Sequence, residues 1–300
     1  MTTVWTPVDR RNGVCALMTS MTATEVHLGA QKSIVITGST RGIGKGIARE
    51  LLLRGHLVAI SGRAQHAVDS ALTELAPGVA NGGRAVGSAC DVANAPELQQ
   101  LWNVAQRAFG RVDIWVNNAG VSHDRQYGGQ LREADILDVA RTNLLGMMLA
   151  TQIALRGMQA QGGGVIYNME GFGSNGMMTP GMGLYGASKF ALTYFNKCLL
   201  AETVASPVKI CYLSPGIVVT DLLKRDIGST SEREWERTKR IYNILADRVE
   251  TVTPYLAEGI LANETAGGRV AWLTSGKAAR RFFGSMLRRR QVLTDADFAQ

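Results

Sequence analysis

Tyr185 and Lys189 lie four residues apart in LYGASK. On a helix that spacing puts both side chains on one face. An ammonium beside a phenol favours the phenolate and lowers the tyrosine's pKa from its usual value of about 10. Such a pair is suited to passing a proton to or from a substrate oxygen near neutral pH. Lys189 can also hold a nucleotide ribose. Asn143, in the helix expected before the fifth strand, is placed to bind a water that relays protons to Lys189. A third member is harder to find. Upstream stands YNMEGFGS, with Met169, Glu170, Gly171 and Phe172 where a hydroxyl would be useful, and Ser174 the nearest serine. Three solutions are open: the loop curls so that Ser174 serves, Glu170 serves, or backbone and Tyr185 suffice.

A dinucleotide site is written upstream of this pair. TGSTRGIG (37–44) follows a short apolar run and opens a helical pattern. Gly38 permits a tight turn. Gly42 and Gly44 let backbone approach a pyrophosphate and the helix pack on a sheet, and the helix N-terminus offers free N–H groups. Ser39, Thr40, Arg41 and Ile43 complete this expected cradle. The second strand ends in Ser61, Gly62 and Arg63, with no acid to hold a ribose 2′-OH. Arg41 and Arg63 suit a 2′-phosphate instead, so the cofactor expected is NADPH/NADP+. Asp91 ends the third strand, where it can accept from the adenine amino group, with Val92 beside it. Asn118, Ala119 and Gly120 end the fourth and pass beside the adenine ribose. In SPGIVVTD, Pro215 and Gly216 shape a turn under the nicotinamide. Val218 follows, and Thr220 can reach the carboxamide.

These motifs need elements to position them. SIVITG, HLVAISGR, GRAVGSACDV, VDIWVNNAG, GGVIYNM, VKICYLSP and RVAWLT read as strands. Helical patterns lie between them, including a long one over about 133–158 and another over about 184–205. The repeated β-α order with apolar strands predicts a Rossmann-like, doubly wound parallel sheet of about seven strands in three α/β/α layers. Each motif then falls at a strand's carboxyl end, where such sheets bind ligands. The expected organisation is an N-terminal extension (1–31), one Rossmann-like domain (32–275) with a substrate-covering insertion at about 220–264, and a basic C-terminal tail (276–300).

The 300 residues are 46% hydrophobic and carry a formal net charge of +7. No helix-turn-helix, zinc or aromatic-platform pattern accompanies the charge, which argues against a nucleic-acid binder. An anionic cofactor, or a peripheral membrane contact through the basic tail, accounts for it as well. Cys15, Cys90, Cys198 and Cys211 lack metal-ligand spacing and read as free thiols of a reducing compartment. The histidines are scattered, and none is given a chemical role; no metal site is expected. The first thirty residues lack a secretory pattern. The expected location is cytoplasmic for a bacterial source, with plastid stroma or thylakoid surface as the alternative.

The order TGSTRGIG, NNAG, Asn143, YGASK and SPGIVVTD resembles the short-chain dehydrogenase/reductase family over about residues 32–275. The resemblance implies hydride transfer between NAD(P)(H) and a carbonyl or alcohol, and a homodimer or homotetramer. It also implies a serine about thirteen residues before the tyrosine, which this chain lacks. One branch shares more. NMEGFGSNG is similar to the NMDGAGS-type segment of chlorophyll b reductases, and VDIWVNNAG, TNLLG, SPGIVVTDLL and VAWLTSGKAARRF are similar too. That branch implies reduction of the 7-formyl group of chlorophyll(ide) b to hydroxymethyl, with Tyr185 as proton donor. Met177, Met178 and Met182, with Trp235, Tyr242 and Leu245, are candidate contacts for a broad apolar ring. Two other readings are a reductase of another bulky apolar carbonyl, such as a steroid or polyketide, and a non-catalytic nucleotide sensor.

Overall fold

The computed structural model describes residues 30–227, 232–263, 265–285, 290–293 and 297, with main chain alone at 225–227 and 232–235. The expected N-terminal extension up to residue 29, with Cys15 and His27, and the side chain of Trp235 lie outside the described residues.

The strands are β1 (Ser33–Ile36), β2 (Leu57–Gly62), β3 (Arg84–Ala89), β4 (Ile114–Asn117), β5 (Gly164–Met169), β6 (Val208–Ser214), β7 (Val218–Val219), β8 (Asp247–Arg248) and β9 (Arg269–Ala271). Seven form one parallel sheet in the order β3-β2-β1-β4-β5-β6-β9. The helices are α1 (Gly42–Leu53), α2 (Gln65–Leu75), α3 (Ala95–Phe109), α4 (Glu133–Val139), α5 (Met147–Ala160), α6 (Gly183–Glu202), α7 (Asp221–Ile227), α8 (Glu232–Leu245), α9 (Val249–Ala262) and α10 (Ser275–Ser285).

The strands are apolar on both faces because both faces are covered. Alternate residues point opposite ways. Ile34 and Ile36 pack with α1, α2 and α9, through Leu51, Val68 and Leu256 among others. Val35 points to the other side, where Leu98 and Trp102 of α3 and Ala154 of α5 meet Trp115, Ile166 and Ile210. Strand order reverses between β1 and β4, which opens a crevice at their carboxyl ends. The glycine turn leaves β1 there, and NNAG leaves β4.

Two details depart from the sequence reading. The long helix of about 133–158 is interrupted: between α4 and α5, residues Ala140–Gly146 form a π-helical segment that contains Asn143. The segment of about 220–264 also divides. Its last part, α9, is a core helix with Val252, Leu256 and Ile260 buried, and it packs on α1. A Cβ added at Gly46 would come within 2.7 Å of Val249 and Thr253 side-chain atoms, so the glycine sets how closely these helices pack. Only α7 and α8 remain as candidates to cover a site. Their two ends are brought together by β7 and β8, which pair in parallel with Val218 opposite Asp247.

The C-terminal region is docked, not loose, where it is described. Arg281 of α10 and Arg290 both bind the carboxylate of Asp247 at 2.7 Å. Leu293 is fully buried beside Val219 and Ala246. No helix among the described residues is long and apolar enough to cross a membrane.

Candidate active site

Helix α6 buries one face: Tyr185, Ser188, Lys189, Leu192, Asn196 and Leu199. The spacing follows the helical repeat and sets the phenol and the ammonium side by side against the sheet's end. Behind them, Asn117 of β4 donates to Asn168 of β5 at 2.7 Å, and Asn168 donates in turn to Asn196 of α6. This buried amide chain fixes α6 on the sheet, because each buried polar group depends on the next for its partner.

Lys189 is almost wholly buried. Its Nζ donates to the Met169 carbonyl at 3.2 Å and sits 5.8 Å from the Tyr185 ring centroid. Burial pulls its pKa down to about 8, while the charge of Glu170 acts the other way. A lysine poised there changes charge close to physiological pH.

The Tyr185 hydroxyl lies against Gly171. A Cβ on that glycine would stand 2.5 Å from the phenolic oxygen and 3.1 Å from Lys189 Cε. Ser174 closes the same loop. Its Oγ accepts from Gly171 N–H at 3.0 Å, and its N–H donates to the Gly171 carbonyl at 3.1 Å. Glu170 points elsewhere, into an ion pair with Arg269 at 3.0 Å. Of the three solutions left open for the missing serine, the geometry gives Glu170 a partner on β9 and gives Ser174 a turn to hold.

Asn143 is buried in the π-helical segment, a kind of distortion found often at functional sites. Its Oδ1 accepts from Val121 N–H at 2.9 Å, and its Nδ2 donates to the Val121 carbonyl and to Ser188 Oγ. A Cβ on Gly120 would lie 3.5 Å from Asn143 Oδ1 and 3.8 Å from Lys189 Nζ, so both groups border the gap beside that glycine. His123, which the scattered spacing of the histidines did not single out, is fully buried next to this assembly. Its Nε2 accepts from Tyr185 N–H at 3.4 Å, and its Nδ1 lies 2.6 Å from the Asp124 carbonyl. No linear pattern marks it, since its partner is sixty-two positions away.

The glycine turn is fastened to NNAG. Asn118 Nδ2 donates to the carbonyls of Thr37 and Gly38, and Thr37 Oγ1 accepts from the N–H groups of Asn118 and Ala119. Gly38 (φ +60°) approaches Ala119 so closely that a Cβ would lie 2.8 Å from its Cα. Gly44 likewise has room for no side chain beside Asn118. Ser39 is turned inward, its Oγ donating to the Ile36 carbonyl and accepting from Ser61 N–H. These bonds tie the glycine turn after β1 to β2. Thr40 packs on Gly62. No side chain caps α1, and a Cβ on Gly42 would meet only Thr220, at 3.6 Å. A first helical turn without a side-chain cap, bordered at Gly42 by the Thr220 side chain alone, fits a pyrophosphate.

At the rim, Arg41 is exposed and pairs with Asp221 at 3.1 Å, and Arg63 is exposed. Asp91 accepts from Ala93 N–H at 3.0 Å, and Val92 is buried against Gly146. Gly216 takes φ +72° beside Leu273, and Thr220 Oγ1 reaches the Val218 carbonyl. An apolar cavity of about 770 Å³ opens next to α6, lined by Tyr127, Phe172, Met177, Met178, Met182 and Phe190 among others. Its size falls in the ordinary range for ligand sites. Leu184 and Gly186 line it, but Tyr185 between them does not. Tyr242 packs into the small core around Val219 and Leu293.

A family model described as short chain dehydrogenase matches residues 32–230. The chain belongs to the short-chain dehydrogenase family. Within this family of NAD(P)-dependent oxidoreductases, it is 35% identical over 258 residues to the probable chlorophyll(ide) b reductase NYC1, chloroplastic, of Oryza sativa subsp. japonica, covering 81% of this chain and 50% of that one. It is 35% identical over 260 residues to the chlorophyll(ide) b reductase NOL, chloroplastic, of Arabidopsis thaliana, covering 84% and 72%. The chain thus spans about half the length of the NYC1 proteins it matches. A solved 7α-hydroxysteroid dehydrogenase, complexed with NADH and 7-oxo glycochenodeoxycholic acid, superposes with a TM-score of 0.70 at 23% identity, covering 83% of this chain and 95% of that one. That likeness is one of fold.

Proposed function

We propose that this short-chain dehydrogenase is an NADPH-dependent reductase that converts the 7-formyl group of chlorophyll(ide) b to hydroxymethyl. The observation that carries the reading is the buried Tyr185–Lys189 pair on α6, in a chain about 35% identical to chlorophyll(ide) b reductases over more than four-fifths of its length.

When bound, the reduced nicotinamide supplies the hydride. The protein's residues do the rest. Gly38, Gly42 and Gly44 leave backbone open to the pyrophosphate, and Thr220 stands above that turn. Arg41, with Arg63, recognises the 2′-phosphate, Arg41 exchanging Asp221 for it. Asp91, Asn118 and Ala119 flank the adenosine half. Tyr185 donates its phenolic proton to the forming alkoxide oxygen. Lys189 stabilises the phenolate left behind, and Asn143 holds a water at the gap beside Gly120 that returns the proton. In this reading no side chain replaces the serine: Ser174 shapes the Gly171 turn, and Tyr185 alone meets the substrate oxygen. The methionine- and phenylalanine-lined cavity beside α6 takes part of a broad ring, since soft and apolar contacts tolerate its shape. Exposed Phe190 and Tyr194 on α6 support assembly into a homodimer or homotetramer. The plant relatives' names favour the plastid alternative for location.

The test is conversion of chlorophyllide b by purified protein and NADPH, followed as loss of the formyl-type absorption spectrum. A hydroxymethyl product whose formation depends on Tyr185 is expected. Failure of conversion with NADPH still bound would move the reading to another bulky apolar carbonyl.

A further inference from the structure

The family model ends at residue 230, yet a carboxylate that accepts four hydrogen bonds from three side chains lies beyond it. Asp247 is 3% exposed. Its Oδ2 accepts from Trp272 Nε1 at 2.6 Å and Arg281 Nη1 at 2.7 Å. Its Oδ1 accepts from Arg281 Nη2 at 3.1 Å and Arg290 Nη2 at 2.7 Å. Burial alone would raise its pKa, but these donors outweigh it and hold the carboxyl below its ordinary value. The two arginines do more. Arg281 donates to the Leu245 carbonyl, and Arg290 to those of Ile244 and Ala246. They satisfy the carbonyls that the end of α8 leaves without helical partners. Asn243 accepts from the N–H groups of Val292 and Leu293, and Arg248 forks onto Asp297. Arg290–Leu293 and Asp297 therefore fasten onto the end of α8 and the start of α9 like a strap.

What it holds leads to the nucleotide turn. Asp247 N–H donates to the Ile217 carbonyl at 3.0 Å, and its strand pairs with β7. A two-residue pairing is marginal by itself. From β7 the chain runs directly into Thr220, over Gly42, and Asp221, paired with Arg41.

We propose that the segment around Arg290–Leu293, acting through Asp247, is a positioning strap that holds β7 and Thr220 in place for the nicotinamide ring of the cofactor. This rests on the dinucleotide site proposed above and not on the identity of the carbonyl substrate. Arg290 and Asp247 are positioning residues that touch no reacting atom.

The test is nucleotide affinity of full-length Arg290→Met and Asp247→Asn protein. NADPH and NADH are read by nicotinamide fluorescence and ADP-ribose by calorimetry, with melting curves alongside. The strap predicts NADPH and NADH weakened alike, by about tenfold, and ADP-ribose unchanged, because that ligand keeps the adenosine, the pyrophosphate and the second ribose and lacks only the nicotinamide ring whose carboxamide Thr220 is to reach. Limited proteolysis should also cut faster between 221 and 245. Wild-type affinity for NADPH and NADH in both variants would overturn the proposal. So would an equal loss for ADP-ribose, or unfolding of Leu293→Ala as well as both of these variants, since the segment would then serve the fold alone. A wild-type protein that binds ADP-ribose but neither NADPH nor NADH would instead defeat the cofactor reading.

Discussion

The Tyr185 hydroxyl rests on Gly171, at a point where a single added carbon would stand 2.5 Å from the phenolic oxygen. The position before it, Glu170, pairs with β9, and Ser174 binds the Gly171 N–H. The bare backbone of the loop after β5 is thus part of how the phenol is placed. Gly171→Ala should displace the hydroxyl and lower kcat by about a hundredfold, the scale of a 1 Å misplacement. Nucleotide affinity should change little. Steady-state kinetics beside NADPH binding would check it, and unchanged kcat would show that the phenol has slack.

Tyr185→Phe removes the proton donor and keeps the ring. Turnover should fall by at least about a hundredfold with NADPH affinity retained. Full turnover would end the proposed role of Tyr185.

Lys189 offers a test of sign. Its pKa is about 8 in the folded chain against the ordinary 10.5. The unfolded chain therefore binds more protons between those values, and stability rises with pH across that window. Below about pH 8 the cost of burying the ammonium is fully present, on the order of 3 kcal/mol. Lys189→Met should raise the melting temperature at pH 7, by a margin that shrinks towards pH 10, while turnover is lost. Wild-type reduction should decline as pH rises through about 8, since the ammonium beside the phenol is then discharged. Melting curves and a kcat/KM–pH profile read the two effects.

Ser174→Ala should behave as loss of a turn lock. Stability should drop by about 1 kcal/mol, with kcat reduced less than about tenfold. A loss as large as that of Tyr185→Phe would return Ser174 to the role of binding the substrate oxygen.

Arg41→Ala should weaken NADPH by at least about tenfold, the size of one charge-assisted hydrogen bond, and NADH far less. Asp221→Asn should strengthen NADPH, because Asp221 competes for the same guanidinium. Equal effects on both nucleotides would remove the 2′-phosphate assignment.

The seven parallel strands, the glycine turn at the β1–β4 crevice and the Tyr185–Lys189 face of α6 were legible from the sequence. Their signals are local: period, composition and spacing along a single element. The sequence also showed that a serine was missing from its usual place. Tertiary structure decided what stands there instead, because Gly171, Ser174 and Glu170 differ only in which distant element each meets. It likewise decided that Ser39 faces inward, that His123 abuts Tyr185, and that Asn143 sits in a π-helical turn bound to Val121. The C-terminal arginines show the division most plainly. In sequence they are a basic tail ready for solvent or a surface. Asp247, far from them along the chain, draws Arg281 and Arg290 inward, because a buried carboxylate requires its donors from wherever the fold can bring them.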